Sequence, residues 1–159
     1  MAENKRLLMR YWIRDEFTSG VQQKCNMRAR QCRGGSKALY DLIVKSPSSY
    51  QYLNTDKEHL QIVSGMGHTF IRYKDDENKQ YIYIDPTIAQ FVPTFDGIFV
   101  GSSDELKALS EQKGSTLNIR DYVANIHYPP LTIEKNMMSG GRPRRKTRRN
   151  RSLKFYCPL

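Results

Sequence analysis

The chain has 159 residues, of which 38% are hydrophobic, which is enough for one domain with a hydrophobic core and excludes a largely disordered protein. The net charge of +10 is uneven, because residues 142–159 hold eight of the 26 basic side chains and none of the 16 acidic ones. We therefore expect a near-neutral domain, residues 1–133, and a basic tail, residues 134–159, and we confine any argument from charge for nucleic-acid binding to that tail.

The first part of the chain predicts two helices. Residues 5–17 contain no Gly or Pro and repeat apolar side chains at helical spacing, and residues 18–20, Thr-Ser-Gly, are expected to end that helix. A second amphipathic helix is expected over residues 35–45, because Pro47 prevents its continuation. Residues 32–35, Cys-Arg-Gly-Gly, are expected to form a flexible approach to this helix.

The middle of the chain predicts a sheet. Expected strands cover residues 60–64, 68–74, 79–85, 98–100 and 122–127. Residues 101–103, Gly-Ser-Ser, are expected to cap a helix over residues 104–112, whose first turn carries acids that suit the helix dipole. After about residue 134 the chain is rich in Ser, Gly, Arg and Lys, which predicts a disordered tail. Helices followed by a mostly antiparallel sheet define an α+β class.

A histidine and an aspartate come together in the predicted hairpin of residues 68–85. If the four-residue turn 75–78 is symmetric, His68 lies directly opposite Asp85, with Cβ atoms about 4.5–5.5 Å apart. The other face then carries side chains suited to a core: Thr69, Ile71, Ile82 and Ile84. An aspartate so placed accepts the Nδ1 proton and leaves Nε2 to take a proton from a nucleophile. The alternative is a cross-strand surface pair without a catalytic role.

Cys32 is the favoured nucleophile because it precedes the predicted helix 35–45. The unpaired amides and positive dipole end of a helix N-terminus lower a thiol pKa and can hold an oxyanion. Cys25 is the alternative nucleophile, although no clear apolar helix starts after it. The opposing interpretation is that Cys32 is a small buried side chain, the usual fate of a free cysteine.

Three features follow one another in the chain: Cys32 before a helix, Gly67-His68-Thr69-Phe70, and Tyr-Ile-Asp-Pro-Thr-Ile-Ala-Gln-Phe at residues 83–91. This pattern resembles the papain-like domains of bacterial toxins and effectors, including glutamine deamidases of the dermonecrotic-toxin type. Such domains place Cys, His and Asp in this order and commonly carry a Gln five residues after the Asp, which is Gln90 here. The resemblance spans about residues 20–112.

The resemblance implies a papain-like fold and a hydrolase in which Cys32, His68 and Asp85 form a triad that acts on a protein amide bond through a thioester. Deamidation, peptide or isopeptide hydrolysis and transglutamination all use this triad, and the resemblance slightly favours deamidation. Gln90 is then a supporting residue. Gln31, which directly precedes Cys32, is a second one. No Gln stands six residues before Cys32, where papain-type enzymes keep an oxyanion-hole donor, so that donor is unassigned.

The three cysteines, Cys25, Cys32 and Cys157, show neither a disulfide framework nor metal-ligand spacing, which predicts free thiols and no metal or cofactor. The first ten residues do not resemble a signal peptide, and no apolar run approaches the roughly 18 residues of a membrane span. We therefore expect an intracellular protein with a protein substrate and no membrane segment.

The basic tail carries a competing hypothesis, in which the chain is a non-enzymatic protein that binds nucleic acid or another acidic surface. Its basic residues offer phosphate contacts without sequence readout: Arg142, Arg144, Arg145, Lys146, Arg148, Arg149, Arg151 and Lys154. The tail also resembles basic tails on proteins of giant DNA viruses, which implies a host cytoplasm, a nucleus or a virion as the location. A papain-like scaffold used only for binding is a third hypothesis.

Overall fold

The computed structural model describes residues 2–65 and 67–124, which form an α+β domain as expected. Its helices are α1 (Ala2–Lys24), α2 (Cys32–Lys45), α3 (Ser103–Ser110) and α4 (Ile119–Ala124), with single 3-10 turns at Ser49–Gln51 and Ile88–Gln90. Its strands are β1 (Leu60–Gly65), β2 (His68–Asp75), β3 (Gln80–Asp85) and β4 (Phe99–Gly101). The strands form one antiparallel sheet in chain order. Within these residues, no helix combines the length and apolar character needed to span a membrane.

Helix α1 is longer than the sequence predicts and runs through the expected stop at residues 18–20. An ideal Cβ placed on Gly20 would lie 3.2 Å from Cδ1 of Leu42. The missing side chain therefore lets α1 and α2 pack closely, and Gly20 serves helix packing rather than helix termination. The buried face of α1 carries apolar side chains at helical spacing: Met9, Trp12, Ile13, Phe17 and Val21.

Helix α2 begins at Cys32, so residues 32–35 are the first turn of the helix and not a flexible approach to it. An ideal Cβ on Gly35 would lie 3.0 Å from Cγ2 of Thr87 and 3.5 Å from Cγ of Pro86. Gly35 therefore allows the start of α2 to rest against the segment that follows β3. This contact brings the beginning of α2 to the end of the hairpin.

The β2–β3 hairpin differs from the predicted one by two residues in register. Ile71 pairs with Ile84 and Asp75 pairs with Gln80, so the turn occupies residues 76–79 instead of 75–78. A slide by two residues keeps every side chain on its predicted face. His68 and Asp85 consequently share a face but are diagonal neighbours, and the prediction that they lie directly opposite each other is wrong.

Both faces of the sheet are buried. The first face packs against α1 and α2 and includes Ile71, Ile82 and Ile84, as predicted. The second face, which carries His68 and Asp85, is covered by a second core, so the pair is not a surface pair. That core contains Val63, Phe70, Tyr83, Ile88, Val92, Phe99, Leu106, Leu109, Leu117 and Tyr122.

The end of the described chain is helical where the sequence predicts a strand over residues 122–127. Asn118 caps the beginning of α4, because its Oδ1 accepts the backbone N–H of Arg120 at 3.1 Å. Residues 125–127 lie outside the described part of the chain. The predicted cap of α3 is confirmed, since Ser102 and Glu105 form a reciprocal capping box.

Candidate active site

Three elements bring the predicted catalytic residues together. Cys32 is the first residue of α2, His68 is the first residue of β2 and Asp85 is the last residue of β3. Cys32 lies close enough to His68 for the imidazole to lower the pKa of the thiol, and Nε2 of His68 lies 2.7 Å from Oδ2 of Asp85. The side chain of His68 is buried, that of Asp85 is fully buried, and Cys32 is partly exposed.

The orientation of the imidazole is the reverse of the predicted one. Asp85 holds Nε2, whereas the sequence predicts that it holds Nδ1. Because Nε2 faces the carboxylate, Nδ1 is the ring nitrogen that remains to exchange a proton with the thiol.

The Asp85 carboxylate accepts hydrogen bonds on both oxygens. Oδ1 accepts from the backbone N–H of Thr87 at 2.8 Å and from its hydroxyl at 3.2 Å. Oδ2 accepts from the hydroxyl of Tyr122 at 2.8 Å in addition to His68. A buried carboxylate needs such partners, because an unpaired one is strongly disfavoured. These bonds fix the position of the carboxylate that orients the imidazole.

The charge of Asp85 governs the protonation of His68. Burial lowers the pKa of His68, but the charge of Asp85 and its hydrogen bond, together with the Cys32 thiolate, outweigh burial and raise the pKa to about 9. The imidazole is therefore protonated at neutral pH. An imidazolium beside a thiol favours the thiolate form of that thiol.

The environment of Cys32 favours its thiolate. Burial raises the pKa of the Cys32 thiol, but the hydrogen bond and charge of His68 and the backbone N–H of Thr69 outweigh burial and bring the pKa below its ordinary value. Ser36 of α2 holds this segment in place, since its hydroxyl donates to the carbonyl of Thr69 at 2.9 Å. The helix N-terminus adds its positive dipole end at the same point.

Aromatic rings enclose the imidazole. The ring of Phe91 meets the ring of His68 edge-on at 4.8 Å between centroids, and the ring of Tyr122 lies at 5.4 Å. Phe70 stacks on Tyr122 at 4.3 Å. These rings remove water from one side of the site, and this strengthens the interaction between His68 and Asp85.

The two predicted supporting glutamines differ in position. Nε2 of Gln90 lies 3.3 Å from Nδ1 of His68 and donates to the hydroxyl of Thr87 at 3.2 Å, so Gln90 stands beside the reacting side of the ring. Oε1 of Gln31 accepts the backbone N–H of Asn26 at 2.7 Å. The side chain of Gln31 therefore braces the loop before α2.

The alternative nucleophile, Cys25, is buried and disulfide-bonded. The prediction that it is a free thiol is therefore wrong, and Cys32 is the free cysteine in the described part of the chain. Cys157 and the basic residues of the tail lie outside that part. Among the residues that are described, no group of three or more His, Cys, Asp or Glu side chains is arranged to bind a metal ion.

Sequence reasoning missed Thr87 and Tyr122 as partners of Asp85. Thr87 follows the Asp-Pro pair directly, and a hydroxyl residue two positions after an aspartate is a recognisable turn signal. Tyr122 carried no such signal, because it is distant in the sequence and was expected to lie in a strand. No protein-family model, curated protein or solved structure matches this chain, so the papain-like resemblance stays a prediction.

Proposed function

We propose that this protein is a cysteine-dependent hydrolase that acts on protein amide bonds, with Cys32 as nucleophile, His68 as acid and base, and Asp85 as the residue that orients His68. One observation carries the proposal. A partly exposed thiol at the first residue of a helix has its pKa lowered by an adjacent imidazole, and Nε2 of that imidazole is held by a buried carboxylate. This is the arrangement that nucleophilic catalysis by cysteine requires.

The charge distribution supports the same role. The pKa of Cys32 is lowered and that of His68 is raised to about 9, so the site favours the thiolate and keeps the imidazole protonated at neutral pH. The thiolate is the nucleophilic form of cysteine. The imidazolium is at the same time an acid ready to protonate a leaving amine.

The proposed reaction proceeds in two halves. In the first, Sγ of Cys32 attacks the carbonyl carbon of the substrate amide, the C–N bond breaks, and Nδ1 of His68 gives its proton to the departing nitrogen. This leaves a thioester on Cys32. In the second, Nδ1 takes a proton from water, the resulting hydroxide attacks the thioester carbon, the C–S bond breaks, and the products are a carboxylic acid and the thiolate.

The oxyanion that forms in each half needs hydrogen-bond donors. The backbone N–H of Cys32 is one of the amides that the first turn of a helix leaves without an intrahelical acceptor, and it is adjacent to the attacking sulfur. The amide of Gln90 is the side-chain donor nearest to Nδ1 of His68. We assign the N–H of Cys32 as the first oxyanion donor and Gln90 as the candidate second donor.

The finer identity of the enzyme follows the resemblance. A papain-like hydrolase with this triad cleaves a peptide or isopeptide bond or hydrolyses the side-chain amide of a protein glutamine, and an amine in place of water turns the second half into transglutamination. We place deamidation first. An intracellular setting, in a host cell or a virion, belongs to the same proposal, although the disulfide at Cys25 is unusual in a reducing compartment.

The test combines thiol labelling with product analysis on the full chain. Iodoacetamide at pH 6.5 should label Cys32 rapidly, and Cys32→Ala should abolish that label. His68→Gln keeps the thiol but should slow labelling by up to about 100-fold, because a cysteine of ordinary pKa is roughly 1% thiolate at this pH. Incubation with glutamine-rich protein substrates should release ammonia if the enzyme is a deamidase and create new peptide termini if it is a protease.

Two results would contradict the proposal. One is slow labelling of Cys32 that His68→Gln leaves unchanged. The other is loss of all biological activity on deletion of residues 134–159, combined with full activity of Cys32→Ala, which supports the non-enzymatic, nucleic-acid-binding alternative. Cys32→Ser serves as the matched control for folding, since it changes only the sulfur.

A further inference from the structure

A pocket of about 160 Å³ opens directly beside His68. It lies between the 3-10 turn that precedes residue 91 and the beginning of α4. Its lining residues are His68, Phe91, Thr116, Leu117, Asn118, Asp121 and Tyr122. A pocket of this size suits one side chain of a substrate rather than a whole peptide, and its position next to the imidazole places that side chain close to the bond that reacts.

The walls of the pocket are aromatic and fixed. Phe91 and Tyr122 both contact the His68 ring, and Tyr122 is anchored at its hydroxyl by Asp85. The backbone carbonyl of Phe91 accepts the N–H of Thr116 at 2.8 Å, which ties one wall to the other. The pocket is therefore preformed, and its aromatic walls suit an alkyl chain or the face of a cation.

A carboxylate stands at the rim of this pocket. Asp121 is exposed on the first turn of α4, where its backbone N–H lies 3.4 Å from Oδ1 of Asn118. In residues 2–65 and 67–124, the carboxylate of Asp121 has no ion-pair partner. Within these ranges the carboxylate faces solvent.

Negative charges outnumber positive charges around the pocket. His68 contributes a positive charge that is paired with the carboxylate of Asp85, and Asp121 contributes a further negative charge. Among the described residues, no Lys or Arg lines the pocket. A cationic group that enters it therefore meets the unpaired charge of Asp121, and an anionic group is repelled.

We propose that this pocket is a specificity subsite for a cationic side chain of the substrate, an ammonium or a guanidinium, with Asp121 as the residue that selects the charge. This inference rests on the proposed function, because the subsite holds the substrate residue next to the amide that reacts with Cys32. The alkyl stem of the substrate residue packs between Phe91 and Tyr122. Its charged end pairs with Asp121, and the pairing is partly screened because the rim is exposed.

The experiment uses two alkylating probes of equal length on the full chain. One is a bromoacetamide with a 4-aminobutyl group on its nitrogen, which is cationic at pH 7, and the other carries a pentyl group and is neutral. The measured quantity is the ratio of their rate constants for labelling Cys32. We expect the cationic probe to be preferred, and Asp121→Asn to lower the ratio about fivefold, the size expected for one exposed charge pair.

Three further measurements sharpen the result. Asp121→Lys should reverse the preference. Asp104→Asn, which removes an exposed acid from the first turn of α3 instead, should leave the ratio unchanged. Salt at 1 M should reduce the preference of the unaltered chain, because the rim is open to counterions. Asp121 is exposed, so thermal unfolding should confirm that its variants fold normally.

The outcomes separate the two proposals. Rapid labelling of Cys32 by both probes, with a ratio that Asp121→Asn does not change, would overturn the subsite and leave the hydrolase proposal intact. Failure of both probes to label Cys32 would overturn the hydrolase proposal, and the subsite with it. A ratio that falls in Asp121→Asn but not in Asp104→Asn supports the subsite.

Discussion

Asp85→Asn removes one charge from the centre of the site while nearly preserving the volume of the side chain. In the unaltered chain the pKa of His68 is about 9 against an ordinary value of 6.5, which corresponds to about 3 kcal/mol in favour of the imidazolium at 1.36 kcal/mol per pKa unit. The charge of Asp85 and its hydrogen bond are the largest influences that raise this pKa. With the charge gone and the burial kept, the imidazole should be neutral at pH 7.

The loss of the imidazolium removes the main partner of the thiolate. Cys32 should then behave as an ordinary cysteine with a pKa of about 8.5, which is roughly 1% thiolate at pH 6.5. We therefore expect the rate constant for alkylation at pH 6.5 to fall by up to about 100-fold. At pH 9.5 the two proteins should differ little, since most of the thiol is ionised in both.

The assay is the rate of iodoacetamide labelling at Cys32, followed by intact mass from pH 5 to pH 10. The unaltered chain should react on a broad plateau that extends down through neutral pH, and Asp85→Asn should show one rise near pH 8.5. Thermal unfolding checks folding, because residue 85 is fully buried. If both proteins show the same single rise above pH 8, the thiolate–imidazolium pair does not exist and the reasoning is refuted.

Two more predictions concern neighbouring contacts. Tyr122→Phe keeps the stacking on Phe70 but removes the hydroxyl that donates to Asp85 at 2.8 Å. Urea unfolding should therefore show that the free energy of unfolding falls by about 1.5–3 kcal/mol, the usual contribution of a hydrogen bond to a charged group. An unchanged urea midpoint would contradict this bond. The ring nitrogens of His59 lie 2.7 Å from carboxylate oxygens of Asp56 and Asp76, and these hydrogen bonds raise the pKa of His59. Because the pKa is raised in the folded state, the stabilisation is complete below about pH 6.5. It is lost as the pH rises through the raised value. His59→Gln should therefore lower the melting temperature more at pH 5.5 than at pH 9, and an equal loss at both values would show that the charge of His59 does not contribute.

The sequence predicted those elements that interactions between neighbouring residues determine, and it did not predict those that depend on contacts between distant residues. The strands of the hairpin follow from alternating apolar residues, and the cap of α3 follows from the Gly-Ser-Ser segment before acids of the first turn. The end of α1 did not follow, because Gly20 is a poor helix former in isolation and its role depends on contact with Leu42. The predicted pairing of β2 with β3 was wrong by two residues, because the sequence indicates a polar turn but not which four residues form it.

The site was predictable in composition and less so in geometry. Cys32, His68 and Asp85 could be selected because each stands at the edge of a predicted element, and Gln90 because of its offset from Asp85. The ring orientation of His68 depends on the side from which α2 arrives, which the sequence does not specify. The contribution of Tyr122 depends on α4 folding back over the second face of the sheet, a contact between residues far apart in the chain.

The position of this polar network within the second core bears on its role. Buried ionised groups are poor stabilisers, and replacing a buried ion pair with apolar side chains of similar volume is often neutral or stabilising by about 1–4 kcal/mol. Here a carboxylate, an imidazolium and a tyrosine hydroxyl lie among the apolar side chains that cover one face of the sheet. A network with a purely structural purpose would end on a satisfied buried partner, but this one ends on a partly exposed thiol. Because the network lowers the pKa of that partly exposed thiol, the arrangement favours chemistry at Cys32 over stability as the reason for the network.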